Sequence, residues 1–168
     1  FDMTYAWSWN DTVHRIAMGK ADVGSLGIYH YTDENSWPAG GMRMLFISNH
    51  DKHAWEGTQL EAFGDALASA IALSMVSKGV PLIYNGQEAG NPKRLAFFDK
   101  DPIEWREHPI GDLYRRLIAL RKSNSALWNG HWGADMIQVV NSAPARVFSF
   151  VRANDKDKLF AVFNFSAG

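Results

Sequence analysis

The chain has 168 residues, with 17 basic and 18 acidic side chains and a net charge of −1. It contains no cysteine, which excludes disulfide bonds and thiolate metal sites. No basic stripe is interleaved with aromatic residues, so nucleic acid is not a predicted partner. No apolar run reaches about eighteen residues, so no membrane span is predicted. The seven Trp, five Tyr and ten Phe fit either a packed core or surfaces on which sugars stack.

The first segment predicts a strand followed by a helix. Residues 1–7 alternate loosely between apolar and polar side chains, which favours a strand. Asn10 or Asp11 is expected to cap the helix, because a short polar side chain accepts hydrogen bonds from the first free amides. Gly19 is expected to end it. A weaker helix over 21–31 and a loop over 32–41 follow.

The most informative stretch begins with a short apolar run at 42–48. This composition is typical of a strand buried on both faces of a parallel sheet. Asn49, His50 and Asp51 follow directly, and a polar loop is predicted over 52–57. Ligands of α/β folds bind at the carboxyl ends of strands, so these three side chains are candidate site residues. A strand end that enters a solvated turn would have the same composition.

The clearest helix is predicted over 58–77, where apolar residues recur at steps of three and four. Thr58 and Glu61 match the capping-box pattern, and Gly79 is expected to end the helix. A second buried strand is predicted over 80–84. Strand, helix and strand at this spacing predict a βαβ unit with parallel strands.

The remaining sequence changes in character. A long loop over 90–105 precedes a helix over 112–123, which Asp112 is expected to cap. Short alternating strands are then predicted over 136–140, 146–152 and 159–165, with a hairpin turn over 154–157. The change predicts two domains, residues 1–128 and 129–168.

The predicted parallel sheet has too few strands to close into a barrel. Its hydrophobic edges would stay open, and open edges pair readily with other strands. Two interpretations follow: a longer parent protein supplies more strands, or the chain self-associates through its sheet edges.

Three motifs in this order resemble the α-amylase family, glycoside hydrolase family 13. They are Phe-Asp-Met-Thr-Tyr-Ala-Trp at 1–7, Met-Leu-Phe-Ile-Ser-Asn-His-Asp at 44–51, and Gly-Val-Pro-Leu-Ile-Tyr-Asn-Gly-Gln-Glu at 79–88. The Asn-His-Asp triplet is a weak signal alone, but followed by the third motif it is specific. The resemblance covers essentially the whole chain, and the residues of the motifs are most similar to those of bacterial α-amylases.

The resemblance implies a fold and a location. Residues 1–128 would be the last three βα units of a (β/α)8 TIM barrel, and residues 129–168 would begin an antiparallel β-sandwich domain. Both ends of the chain are therefore expected to lie inside a longer protein. Family membership implies a protein that is secreted, periplasmic or on the cell surface of a bacterium.

The resemblance also implies a reaction on starch or maltooligosaccharide with retention of configuration. Asp51 takes the place of the carboxylate that stabilises the transition state, and His50 that of the histidine that binds the same sugar. The family's nucleophile and general acid belong to strands that precede Phe1. The chain alone is therefore expected to be inactive. A non-catalytic member of the same fold that binds sugar or protein is the alternative.

Four further residues are candidates for substrate binding. Trp7, Trp9 and Trp55 lie in segments beside the expected site, where they would stack on sugars or pack within the protein. Arg94 resembles a loop arginine that contacts sugars in some relatives, with a surface salt bridge as the alternative.

No metal or cofactor site is predicted in the chain. The spacing of His50, Asp51 and His53 would suit a metal, but no further ligand group is well placed. The family's usual calcium site draws on the upstream part, so calcium is expected only in a full-length parent.

Overall fold

A computed structural model describes residues 1–166 of the chain. The described part contains two three-stranded sheets, one parallel and one antiparallel, and six α-helices. In chain order the elements are β1 (Met3–Tyr5), α1 (Trp7–Ala17), α2 (Gly24–Ser36), β2 (Met42–Phe46), α3 (His50–Trp55), α4 (Gln59–Phe63), α5 (Leu67–Val76), β3 (Val80–Leu82), α6 (Pro109–Ser123), β4 (Ile137–Gln138), β5 (Val147–Ala153) and β6 (Lys158–Asn164). None of these helices is both long and apolar enough to cross a membrane.

The parallel sheet has the order β1-β2-β3, which confirms the predicted βαβ arrangement. Met42 of β2 pairs with Met3, and Met44 pairs with Tyr5 on one side and Val80 on the other. Since all three strands run in the same direction, their carboxyl ends meet at one edge of the sheet. The residues that follow each strand are therefore neighbours there.

Helix α1 begins earlier than predicted, and Asn10 does not cap it. The helix starts at Trp7, so Asn10 lies within its first turns and is buried. Its Nδ2 donates to Phe46 O at 2.9 Å and to Ile47 O at 3.0 Å. These carbonyls lie where the β2 ladder ends, so a buried amide that reaches them satisfies groups that would otherwise lack partners.

Helix α2 is displaced towards the C-terminus from its predicted range, and it includes part of the predicted loop over 32–41. Contacts with Arg43 of β2 explain its last turns. Arg43 Nε lies 3.1 Å from the Asp33 carboxylate, which also accepts from the Tyr29 hydroxyl of the same helix at 3.3 Å. The Arg43 guanidinium also lies over the Trp37 ring, 4.3 Å from its centre. The sequence pattern of residues 21–41 contains no sign of these contacts with β2, so the C-terminal end of α2 could not be predicted from it.

The helix predicted over 58–77 is divided into α4 and α5 by a tight turn. Gly64 has a φ of +47°, in the left-handed region that glycine adopts without steric cost. The capping box at the start of α4 is confirmed. Thr58 Oγ1 accepts from Glu61 N at 3.3 Å, and Glu61 Oε2 accepts from Thr58 N at 2.8 Å.

Helix α6 begins at Pro109 and is capped by His108, whose Nδ1 accepts from Ile110 N at 3.2 Å. The prediction that Asp112 caps it is wrong, because Asp112 lies in the first turn. The predicted hairpin between β5 and β6 is confirmed, with Asn154 N donating to Asp157 O at 2.9 Å.

The main hydrophobic core lies between the helices and the parallel sheet and continues onto β5 and β6. Each large apolar side chain that is fully buried there stabilises the fold by about 1.5–3 kcal/mol. Fully buried members include Trp9, Val13, Leu26, Ile71, Leu73, Leu127 and Phe150. The core thus joins the two sheets through α5, which contacts β2 and β3 of one sheet and β6 of the other. A domain boundary at residue 128 stays a prediction.

Candidate active site

Asn49 organises the carboxyl end of β2. It is buried and extended, and its Oδ1 accepts from Lys52 N at 2.8 Å, so it is the N-cap of α3. The predicted polar loop over 52–57 is therefore largely helical, and this correction follows from the cap. A capped helix fixes the directions of the two residues that follow Asn49.

His50 and Asp51 occupy the first turn of α3 and face solvent. Their side chains are 54% and 41% exposed, and His50 Nε2 lies 3.7 Å from Asp51 Oδ1. A carboxylate is favoured in the first turn of a helix, where the free amides carry partial positive charge. The imidazole and the carboxylate can therefore contact one ligand together.

Two buried polar atoms accompany them at the end of β2. Within residues 1–166, Ser48 Oγ and Asn49 Nδ2 have no hydrogen-bond partner. A buried polar atom without a partner costs about 1–3 kcal/mol. Other described atoms share this state away from the end of β2, among them Trp9 Nε1 and Ser77 Oγ, so the pair indicates a site only together with the exposed His50 and Asp51 beside it.

His53 serves the structure of the site. It is buried, its Nε2 lies 2.9 Å from Lys93 O, and its ring packs against Tyr84 at 5.4 Å. Burial lowers the pKa of His53. Among the described residues no group of three or more His, Asp or Glu side chains could hold a metal ion.

The three candidate tryptophans differ in exposure. Trp9 is completely buried in the core, so its selection as a sugar-stacking residue is wrong: neither face of its indole reaches solvent. Trp7 is 39% exposed and its ring packs edge-on against Phe46 at 5.2 Å. Trp55, at the end of α3, is 62% exposed.

Arg94 forms an ion pair with Glu61. Its Nε and Nη2 donate to the two carboxylate oxygens at 3.0 and 3.1 Å. Hydrogen bonds from Arg94 and from the Thr58 amide hold the pKa of Glu61 well below its usual value, at about 2. The guanidinium is thus engaged with Glu61, which agrees with the salt-bridge alternative.

Gln87 anchors the loop after β3 and was not predicted as a site residue. Its Oε1 accepts from Tyr84 N at 2.6 Å, while its Nε2 donates to Gln59 Oε1 at 2.8 Å and to the Tyr114 hydroxyl at 2.9 Å. All three network side chains are buried. The network thereby ties the exit of β3 to α4 and α6.

Phe97 and Phe98 were also missed, although two adjacent aromatic residues in a long loop are a readable signal. The Phe97 ring stacks on His50, with centres 5.8 Å apart and planes at 28°. It also contacts Trp55, with centres 5.6 Å apart. The loop after β3 therefore contributes aromatic side chains to the site.

Comparison with known proteins gives sequence relatives for this chain. It is 27% identical to α-amylase 2 of Dictyoglomus thermophilum over 135 residues, which cover 70% of this chain and 24% of that protein. It is 25% identical to α-amylase MalA of Haloarcula japonica over 174 residues, which cover 99% of this chain and 24% of that protein. No family model matches the chain.

Solved structures of α-amylases also resemble this chain. A maltogenic α-amylase, AmyB, from Thermotoga neapolitana superposes with a TM-score of 0.84 and 26% identity, covering 98% of this chain and 38% of that one. The chain is thus similar to α-amylases in both sequence and fold. A cyclic α-maltosyl-(1→6)-maltose hydrolase from Arthrobacter globiformis, in complex with that sugar, shares the fold with a TM-score of 0.75 and 18% identity over 97% of this chain and 37% of that one.

This α-amylase relative spans about a quarter of the length of the two curated relatives that it matches. The described site is accordingly one strand end and the loops beside it. Asn49, His50, Asp51, Trp55 and Phe97 are brought together there, while Trp9 lies in the core.

Proposed function

We propose that this chain is part of a retaining α-glucan hydrolase whose substrate is starch or a maltooligosaccharide. One observation carries the proposal: the Asn49 cap presents His50 and Asp51 together at the carboxyl edge of a parallel sheet in a relative of the α-amylases. This edge is where α/β enzymes place their catalytic groups. The Arthrobacter globiformis neighbour, which was solved with an α-glucan bound, agrees with the substrate class.

Asp51 would stabilise the transition state. Retaining hydrolysis passes through an oxocarbenium-like state, in which positive charge develops on the sugar ring. A carboxylate held in place beside that charge lowers the barrier most where water is excluded. His50, 3.7 Å from Asp51, would donate a hydrogen bond to the same sugar unit.

The chain alone would not turn over glucan. Retention requires two further carboxyl groups, a nucleophile and a general acid, about 5–5.5 Å apart. The described carboxylates around α3 are engaged with cations: Glu61 with Arg94, and both Asp11 and Glu56 with Lys52. The nucleophile and the acid would belong to another part of the enzyme.

The finer fold assignment belongs to the same proposal. The parallel strands and their helices would be the last three βα units of a (β/α)8 barrel, and β4 to β6 would begin a β-sandwich domain. Strands β1 and β3 are the edges of the described sheet, so the rest of the barrel would pair with them.

Partners and location follow from the activity. An enzyme that degrades starch would act outside the cytoplasm, either secreted, periplasmic or at the cell surface. Calcium would bind only in the full-length protein. If no further strands cover β1 and β3, the chain would self-associate through them, and a monomeric elution volume in size-exclusion chromatography would contradict that association.

A non-catalytic sugar- or protein-binding role is the second candidate. The exposure of Trp55 and Phe98, 62% and 84%, favours binding in its own right. In that case a ligand would contact the aromatic side chains without involving Asp51.

A reducing-sugar assay and an NMR titration of this chain with maltoheptaose test the proposal. We expect no turnover, together with shifts of the His50 ring signals that weaken in Asp51→Asn. Turnover that Asp51→Asn abolishes would contradict the inactivity of the chain. Shifts confined to signals away from His50 and Asp51 would favour the non-catalytic candidate.

A further inference from the structure

We propose that the free edge of β1 is a strand-pairing surface, which binds the same edge of a second copy of this chain. The pairing would be antiparallel, about a two-fold axis that passes beside Thr4. Both edges of the parallel sheet are open, but their hydrogen-bonding groups are not equivalent. The inference does not depend on the glucan chemistry. In a longer parent, a further strand would occupy β1 in place of the second copy.

Strand β1 directs a complete set of backbone groups towards its free edge. Met42 N donates to Asp2 O at 2.9 Å, and Ala6 N donates to β2 at the same distance. The even-numbered residues of this segment therefore bond to β2, as the parallel register requires. The N–H and C=O groups of one strand residue point to the same side. Met3 and Tyr5 consequently point theirs away from β2.

The free edge of β3 offers fewer groups. Leu45 of β2 is the partner of Pro81, and in a parallel ladder a residue bonds to the two neighbours of its partner. Pro81 therefore faces the free edge, where it has no N–H to donate. The carbonyl of Gly79, directly before the strand, already accepts from Arg121 Nη2 at 2.6 Å. Since proline on an edge strand opposes pairing, β3 is a poor template for a further strand.

The edge of β1 is complementary to itself. A two-fold axis beside Thr4 sets Met3 opposite Tyr5 of the second copy, and Tyr5 opposite its Met3. Residues that face each other in a hydrogen-bonded antiparallel pair exchange both of their N–H···O bonds. Both pairs would do so at once. Thr4 would lie between them, with its own backbone groups already bonded to β2.

Apolar side chains are exposed along the same edge. Phe1 is fully exposed, and Met3 and Trp7 are each 39% exposed. The two-fold register would bring Phe1 close to Trp7 of the second copy, and aromatic pairs across strands stabilise a sheet. Asp2 carries the only charged side chain among residues 1–7, so little repulsion opposes the contact.

The difference between the edges limits the assembly to a dimer. If both edges were good templates, β1 of one copy would pair with β3 of the next, and open-ended oligomers would form. Pairing of β1 with itself uses one surface on both copies and closes after two copies. The expected state of the chain is therefore an equilibrium between monomer and dimer.

Sedimentation velocity of the 168-residue chain over a range of concentrations tests the inference. We expect monomer and dimer, with no larger species. Met3→Pro removes an N–H that serves only the free edge, so the ladder with β2 should be retained. It should raise the dimer dissociation constant by about 30-fold, which matches the loss of one hydrogen bond from each copy. Met3→Lys, which places a charge on the edge, should also weaken the dimer.

Ile28→Lys is the matched control, because Ile28 is 71% exposed on α2, away from β1. It should dimerise like the wild type. A monomer at every concentration would overturn the inference, and so would a dimer that Met3→Pro and Met3→Lys leave unchanged. Near-ultraviolet circular dichroism checks that the variants keep the fold.

Pro81→Val tests the other edge, because it restores an N–H to the free edge of β3. The variant should form species larger than a dimer at high concentration. If it forms no more than a dimer, the two edges do not differ in the way that the inference requires.

The dimer and the glucan site fail separately. A monomeric chain whose His50 signals still shift with maltoheptaose would overturn the dimer and leave the proposed function standing. A dimer that Met3→Pro dissociates, in a chain that does not bind maltoheptaose, would support the β1 edge and contradict the proposed function.

Discussion

The amino ends and the carboxyl ends of the parallel strands differ in how nearby polar groups find hydrogen-bond partners. On the side where β3 begins, Arg121 and Arg152 reach the end of α5 and direct their donors at backbone carbonyls. On the side where β2 ends, Ser48 Oγ and Asn49 Nδ2 have no partner within residues 1–166. In TIM barrels, the fold proposed for the parent protein, the amino ends of the strands serve stability and the carboxyl ends serve chemistry. Ser77 Oγ, near the start of β3, is also buried without a partner, so the difference lies in the arginine donors on one side and the exposed His50 and Asp51 on the other.

Arg152 makes several buried hydrogen bonds near the amino end of β3. It is 1% exposed and donates to Val76 O at 3.2 Å, to Ser77 O at 3.0 Å and to Trp128 O at 3.1 Å. Two further bonds reach Ala134 O at 2.9 and 3.0 Å. Its charge also complements the carboxyl end of the α5 dipole. Burial lowers the pKa of Arg152 to about 10, so it stays charged at neutral pH.

The largest expected effect on stability is that of Arg152→Met. The substitution leaves four buried carbonyls without this donor, so the free energy of unfolding should fall by about 3–5 kcal/mol. Denaturant titration measures it, and Arg146→Met, at an exposed arginine, should be nearly neutral. If Arg152→Met lowered the free energy of unfolding by no more than Arg146→Met does, the hydrogen bonds of Arg152 would not stabilise the amino ends of the strands.

A smaller effect is expected at His30, which lies between α2 and β5. Its ring stacks on Phe148 at 6.0 Å, and burial followed by the charge of Lys78 lowers the pKa of His30 to about 4. Stability from the neutral ring is present above pH 6.5 and is lost as the pH falls towards 4, because the unfolded chain takes up the proton first. The loss should be about 2 kcal/mol.

Urea titrations of the wild type and of His30→Leu across this range measure the contribution of His30. The wild type should lose more stability than the variant between pH 6.5 and 4, since both share the other acid-sensitive groups. Parallel pH profiles would mean that His30 does not contribute.

Thr58→Ala should cost about 1 kcal/mol, because it removes one half of the capping box of α4. Thermal unfolding measures the change, with Thr12→Ala as a control at a hydroxyl that bonds only within α1. Thr58 lies near the carboxyl ends of the strands. A loss of maltoheptaose affinity in Thr58→Ala without a loss of thermal stability would contradict a purely structural role for this cap.

The smallest effect is expected for Arg94→Ala. The ion pair with Glu61 is half exposed, and exposed pairs contribute little to stability. Melting temperature and maltoheptaose affinity should both stay within experimental error. A loss of affinity with an unchanged melting temperature would instead assign Arg94 to the substrate.

The central part of the fold follows from local pattern. The buried strand at 42–46, the capping box at Thr58 and the hairpin after β5 each depend on neighbouring residues, and all three are present. The position of Asn49 at a strand end is also predictable from the sequence, because an apolar run followed by polar residues indicates the end of a buried strand.

What could not be predicted depends on distant contacts. Local pattern predicts a cap at Asn10, whereas its bonds to Phe46 O and Ile47 O cross from α1 to β2 and depend on the folded chain. Local pattern leaves Trp9 open between sugar stacking and packing within the protein, because its burial depends on several elements packing together. Phe97 joins His50 only after the loop folds back along α3, a position that loop composition does not specify.

The most direct test of the central claim compares the wild type and Asp51→Asn in the longer parent enzyme that we propose for this chain. With maltoheptaose as substrate, kcat should fall by about 10²–10³-fold, because the charge that stabilises the transition state is removed. KM and melting temperature should stay close to the wild-type values. Asp11→Asn, at an exposed carboxylate paired with Lys52, should leave kcat unchanged. A kcat for Asp51→Asn within a few-fold of the wild type would contradict the assignment of the carboxyl edge as part of an active site.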